Sequence, residues 1–210
     1  MSVKKIDDVR RFVEYIFAES TQRSYYEHTL RVYRFAYYIG EEENADMEIL
    51  LPAVLMHDIG MTIDTGFPRH VDKSAYLAKM YLKSNGYPSD KTYRILQVIT
   101  SHHIPPYETR KNKEEEVIFD ADTLEIVGGY GILRWLGKSI LSEQTIVDSI
   151  NLFSNIVKSA KDKRGSLFFT ETAKKLGDKS VEESLEYYRR IIEYFGTCKS
   201  YTGIISPVEI

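Results

Sequence analysis

The sequence holds a single cysteine, Cys198, among 210 residues. One thiol excludes an intramolecular disulfide and any cysteine-built zinc cage, and it fits a reducing, cytoplasmic compartment. No apolar run approaches the length of a membrane span, and the opening residues MSVKKIDDVRRF carry no apolar targeting segment. No membrane association is expected. An excess of one charge is also missing. Lys and Arg number 28 against 31 Asp and Glu, a formal net charge of -3, which provides no basic field to hold a long nucleic acid. The local exception, 158–164 (KSAKDKR), reads as a solvated helix end. Strand alternation is absent apart from the ambiguous run 117–119, and there is no internal repeat or low-complexity linker.

What is present is helical. Apolar residues recur with the helical period over 6–18, 25–39 (stopped by Gly40), 47–58 (capped by Asn44 or Asp46 and closed by Gly60), 71–84 and 90–101. Further helices are expected near 142–161, 170–176 and 181–194. Pro52 falls inside the third, which implies a helix start close to it or a kink. The fold class is all-α. At 210 residues, 43% hydrophobic and 28% charged, the chain has the size and composition of one globular domain over 1–210. A core of about 6–136 would carry a C-terminal helical extension, about 139–197, packed on it. The 16 tyrosines fall largely at helical spacing, as half-buried packing or pocket lining. Such faces would suit a homodimer interface as readily as a core.

The chemistry lies in the five histidines, His28, His57, His70, His102 and His103, all in the first half of the chain. A lone histidine is usually a satisfied core or surface residue, so the set carries the argument. His57-Asp58 ends an apolar helix (ILLPAVLMHDIG), where a buried carboxylate is costly unless paired or metal-bound. One nitrogen and one oxygen donor side by side suit a first-row divalent ion better than calcium; a capping Asp beside a His is the equal alternative. Asp122 lies in a second apolar run (VIFDADTLEIVGGYG), where it also fits a capping box with Glu125. Asp120 shares its face if that run is extended and diverges from it if helical. His28 faces inward among Leu30, Val32 and Ile39 and needs a partner. His102-His103 is presented at a helix end before Pro105-Pro106, and His70 precedes a helix that carries Lys73 and Ser74 one turn on.

The order His28, His57-Asp58, Asp122 resembles the HD-domain superfamily of metal-dependent phosphohydrolases, in particular the short bacterial and archaeal HD proteins that act on nucleotides. HVDKSA (70–75), Ile99 to His102, GGYGILR up to Arg134 and the late LFFTETAKKLGDKSVEESLEYYRRII extend the resemblance over most of the chain. It implies an HD helical bundle with additional C-terminal helices. It also implies a divalent transition metal (Mn, Co, Ni, Fe or Zn) ligated by His28, His57, Asp58 and Asp122, with a second ion in the dinuclear relatives. His70 and His102 would position phosphate or relay protons. Arg31, Lys73, His103 and Arg134 are the candidates for binding substrate, which would be a nucleotide or similar small phosphorylated molecule. Asp64 is either a general acid that orients water or a plain loop residue. Thr123 stands where close relatives have a basic residue, and Met61 where some have an acidic one. Two other readings remain: a di-iron HD oxygenase with His70 and His102 as further ligands, and a metal-stabilised ligand-binding protein without turnover. Gly86-Tyr87-Pro88 precedes His102-His103, unlike the Gly-Tyr-Pro of cyclic-dinucleotide phosphodiesterases, and reads as a turn.

Overall fold

A computed structural model describes residues 3–63, 69–106, 108–141 and 145–200. Among them there are nine α-helices and no strand: α1 Val3–Ala18, α2 Arg23–Glu42, α3 Met47–Met56, α4 Arg69–Ser84, α5 Ser89–Ser101, α6 Lys113–Leu124, α7 Gly128–Leu141, α8 Ile146–Arg164 and α9 Glu171–Ser200, with a short 3-10 turn Ile59–Thr62 after α3. The all-α expectation is met. No helix among the described residues is long and apolar enough to cross a membrane.

The centre is α3. Residues 49 to 56 are all buried, and the helix packs against α1, α2, α5 and α6. A helix apolar all round can only lie inside. It begins at Asp46, whose side chain accepts from the Glu48 N–H at 3.1 Å. Pro52 sits within it, beyond the first turn that tolerates proline best.

Two glycines, one of them the expected helix stop Gly40, allow close packing instead. Gly40 lies inside α2, where a Cβ would come within 2.6 Å of Leu50 and 2.8 Å of Met47. Gly177 lies inside α9, where a Cβ would meet the Phe168 ring at 2.4 Å. Both let a neighbour pack closely, so α2 runs on to Glu42 and the two expected C-terminal helices are one. The stretch 128–141, not expected as a helix, is α7. Gly86-Tyr87-Pro88 is a turn, with Gly86 at φ +68°, joining α4 to α5.

The run 117–124 is helical within α6, which separates the two aspartates. Asp120 faces the start of α9. It accepts from the Phe169 N–H (2.8 Å), the Thr170 N–H (2.7 Å) and the Thr170 hydroxyl (2.7 Å). Glu43, at the end of α2, accepts from the Thr172 N–H at 2.9 Å. Two carboxylates thus occupy the positive end of α9 and tie it to α2 and α6. The expectation for Asp120→Asn follows: an amide nitrogen cannot accept from Thr170, so the change should cost about 1–3 kcal/mol. A lower urea midpoint at an unchanged slope, with no change in any bound metal, checks it.

Candidate metal centre

Four of the helices around α3, together with the chain just after α3, deliver the parts of the centre. His57 and Asp58 follow the last turn of α3, and Gly60 then turns the chain back. Its amide donates to Ser74 Oγ at 2.8 Å, and a Cβ there would lie 2.0 Å from the His70 carbonyl. Only glycine allows that approach, which brings the first turn of α4, and with it His70, against Asp58. His28 is on the inner face of α2, His102-His103 follows α5, and Asp122 is in the last turn of α6.

Asp58 is the meeting point. Its Oδ2 lies 3.6 Å from His28 Nε2 and 3.6 Å from His57 Nε2. Its Oδ1 lies 3.6 Å from His70 Nε2 and 3.6 Å from His102 Nε2. Asp122 Oδ1 is 3.1 Å from His28 Nε2, and the Asp122 side chain keeps 31% of its exposure, which marks the open side. Two groups of donor atoms lie within 4.8 Å of one another: His28, His57 and Asp58, and Asp58, His70, His102 and His103. Both include Asp58.

The orientation of the imidazoles is fixed from behind. His57 Nδ1 faces the Val54 carbonyl at 2.7 Å and His102 Nδ1 the Ile99 carbonyl at 2.5 Å. An N–H at Nδ1 leaves a lone pair at Nε2, and in both residues that buried Nε2 has no hydrogen-bond partner. A buried acceptor left unsatisfied is costly, and two converging on one carboxylate fit a cation. Ligands about 2.1 Å from one ion and at right angles to each other stand about 3 Å apart. The 3.6 Å separations around Asp58 and the 3.1 Å between His28 and Asp122 are close to that. The His/Asp cluster is compatible with a divalent metal.

Charge agrees. Burial would raise the Asp58 carboxyl, but His57, His102 and His28 hold it well below the usual carboxylate range. Burial likewise opposes ionisation of Asp122, and the contact with His28 overrides it. Burial pushes His57 down to about 4. Burial, with His102 and His70 alongside, pushes His103 down to about 3. These two imidazoles are neutral at pH 7, the form that binds metal. His28 and His102 go the other way: burial lowers them, but Asp122 and Glu125 outweigh it at His28 and Asp58 at His102.

The other sequence candidates are spread more widely. His70 Nε2 meets His103 Nε2 at 2.8 Å. Arg134, on α7, is half-buried and close enough for its charge to bear on His28 and Tyr25. Lys73 is exposed on α4, and no ion pair with the cluster exists among the described residues. Arg31 turns away from the cluster: its Nε donates to Glu125 at 2.8 Å and its Nη2 to Tyr130 Oη at 2.7 Å. Asp64 lies outside the described residues. Met61 and Thr123 are both buried.

The sequence left the roles of four residues at or near the site unread. Tyr25, three residues before His28 on the same helix face, has its ring edge-on to His28 at 6.4 Å. Glu125, read only as a capping partner, is buried against His28. Arg164, assigned to a solvated helix end, instead lies 3.8 Å from the centre of the Phe169 ring and donates to the carbonyls of Pro106 and, at 2.8 Å, Leu167. Arg110 stacks on Phe119 and Phe169 and donates to the Ile104 carbonyl at 2.7 Å. Together these arginines clamp the segment that follows His102-His103.

Helices around a His, His-Asp, Asp cluster define a class, the all-helical proteins with a histidine–aspartate metal centre. Residues 25–126, just under half of the chain and the part that carries the whole cluster, match the HD domain. The uncharacterized Bacillus subtilis protein YpgQ is 29% identical over 136 residues, 63% of this chain and 65% of that protein, so the aligned part spans just under two thirds of YpgQ. Its crystal structure, 26% identical, superposes with a TM-score of 0.68 over 91% of this chain and 95% of YpgQ; YpgQ has also been solved in complex with ADP. A Lactobacillus plantarum protein shares the fold at 19% identity (TM-score 0.77, 94% and 99% coverage). So does an HD-superfamily hydrolase from Bacillus thuringiensis at 21% identity (TM-score 0.64, 96% and 100% coverage).

The arginine clamp has a measurable consequence. Arg110→Ala removes a stacked cation and its carbonyl contacts, and should cost about 1–3 kcal/mol. Amide exchange should rise first at 101–110, leaving α3 protected; uniform loss of protection would show that the clamp has no local role.

Proposed function

We propose that the chain is a divalent-metal-dependent phosphohydrolase that cleaves a phosphate ester or phosphoanhydride of a nucleotide or related small molecule. The observation that carries the reading is the pair of buried, unpartnered Nε2 atoms of His57 and His102 facing opposite oxygens of one ionised Asp58. His28, His57, Asp58 and Asp122 would hold the metal. A divalent ion supplies a Lewis acid and a water of lowered pKa beside phosphorus.

The remaining steps belong to the chain. His70 and His103, in contact through their Nε2 atoms, would receive the proton lost by the attacking water and pass it towards the leaving oxygen. His102 holds Asp58 from the other side. Arg134 would balance charge on the phosphoryl oxygens, and Tyr25, whose hydroxyl is kept protonated by burial and by Asp58 and Asp122, would donate a hydrogen bond there. YpgQ with ADP supports a nucleotide as the ligand class.

A second reading is favoured by Asp58 itself. Its two oxygens face different imidazole pairs, His28 with His57 and His70 with His102, so each pair together with Asp58 would hold an ion of its own. Two irons would then move the chemistry towards an oxygenase.

Elemental analysis of wild type and Asp58→Ala, with phosphate release from nucleoside di- and triphosphates in Mn, Co, Ni or Mg, tests both. About one transition metal per chain, lost in the variant together with a roughly 100-fold or greater fall in phosphate release, is expected. Two irons with oxygen consumption and no phosphate would establish the second reading. No metal and no turnover in wild type would overturn both.

A further inference from the structure

Of the four imidazoles facing Asp58 at close range, His28, His57 and His102 are not oriented in the same way. His57 and His102 each stand just past the end of a helix, where the last-turn carbonyls have no helical donor. Each turns its Nδ1 to such a carbonyl three residues back, Val54 or Ile99. His28 has no such option, because it lies in the interior of α2, where the carbonyls behind it are engaged by the helix. Its Nδ1 needs an acceptor from elsewhere in the fold.

That acceptor is Glu125. Its Oε2 lies 3.5 Å from His28 Nδ1, while His28 Nε2 faces Asp122 and Asp58 on the opposite edge of the ring. The Glu125 side chain is only 3% exposed, and a carboxylate so placed is costly without partners. Arg31 supplies one, donating from Nε to the same Oε2 at 2.8 Å. Arg31 is in turn fixed by Tyr130, through a 2.7 Å hydrogen bond to Nη2 and by the guanidinium lying 4.7 Å from the ring centre. His28 and Arg31 outweigh burial and keep Glu125 ionised. The chain Tyr130, Arg31, Glu125, His28 ends on the metal-facing nitrogen.

We infer that Glu125 and Arg31 are positioning residues for the metal centre: Glu125 sets the tautomer and ring orientation of His28, and Arg31 holds Glu125 in place. An arginine that resembles a phosphate-binding cation in the sequence is thereby committed to the far side of His28. The inference rests on the metal reading above. A carboxylate behind a ligating histidine raises ligand basicity and fixes its direction, and its loss typically weakens metal binding about 10–100-fold.

Cobalt(II) titration of the metal-free full chain, followed by the visible absorption of the bound ion, tests this on wild type, Glu125→Gln, Glu125→Asp, Arg31→Met and the double variant Glu125→Gln/Arg31→Met. Glu125→Gln should bind Co(II) about 10–100-fold more weakly and with an altered visible spectrum, and Glu125→Asp should recover part of both. Arg31→Met should weaken binding in the same direction. The double variant should be little worse than Glu125→Gln alone, because the two act in one chain. If Glu125→Gln fails to fold, as judged by thermal unfolding without metal, Arg31→Met carries the test alone. Wild-type affinity and spectrum in the folded variants would overturn the inference and leave the metal reading intact. A raised nucleotide KM in Arg31→Met at unchanged Co(II) affinity would overturn it too, returning Arg31 to the substrate. Wild type that takes up no cobalt would sink both.

Discussion

The ionised carboxylate of Asp58, buried among four imidazoles, is the constraint around which the rest of the structure is arranged. A carboxylate in the interior is unfavourable by several kcal/mol unless positive charge or hydrogen-bond donors surround it. The groups that face it come from different parts of the chain: α2 brings His28, the chain after α3 His57, the first turn of α4 His70, and the chain after α5 His102. None of these helices can shift without moving an imidazole away from Asp58. The fold therefore concentrates helix ends at one point and uses the apolar α3 as the rigid post that places them.

This arrangement explains which parts were legible in the sequence. His57-Asp58 behind LLPAVLM, and Asp122 within VIF and ADTLEIV, are polar residues in apolar surroundings, and burial without a partner makes them conspicuous. The helical period identified most of the core helices for the same reason: a long stripe has to face something. The rest was decided by contacts between distant segments. Gly40 and Gly177 have the appearance of helix stops because glycine ends helices locally, yet each is fixed by a side chain from another element, Leu50 and Met47 in one case and Phe168 in the other. Whether Asp120 joined Asp122 depended on one geometric choice. The helix sends Asp120 to the α9 start and Asp122 to His28.

Arginine was the residue type whose role was hardest to read. A guanidinium near a phosphohydrolase-like cluster suggests phosphate, and one in a lysine-rich run suggests solvent. Arg31, Arg110 and Arg164 are all engaged within the protein. Each lies against an aromatic ring, Tyr130 for Arg31 and Phe169 for the other two. Each also spends its N–H groups inside the protein, on the Glu125 carboxylate or on main-chain carbonyls. The planar, multidonor head suits this, and nothing in a local sequence window marks it. Burial carries a cost: Arg110 is pushed down to about 10 by burial and by the charge of Arg164. Two cations share the Phe169 ring, and both donate hydrogen bonds to carbonyls of the segment after His102-His103.

Two separate supports thus hold the centre in shape, and they differ in kind. His57 and His102 are oriented by backbone carbonyls of their own helices, so their direction is set as soon as α3 and α5 form. His28 depends on a carboxylate 97 positions away in the chain, so its direction is set only once α2 and α6 have packed. The Asp122 side of the cluster is also the side that keeps exposure. Tertiary packing therefore completes the centre at its open edge, where a phosphorylated ligand would arrive, while the inner edge is fixed by local structure. The two halves of the cluster thus differ in when their geometry is set, the inner one by its own helices and the open one by contacts between distant segments.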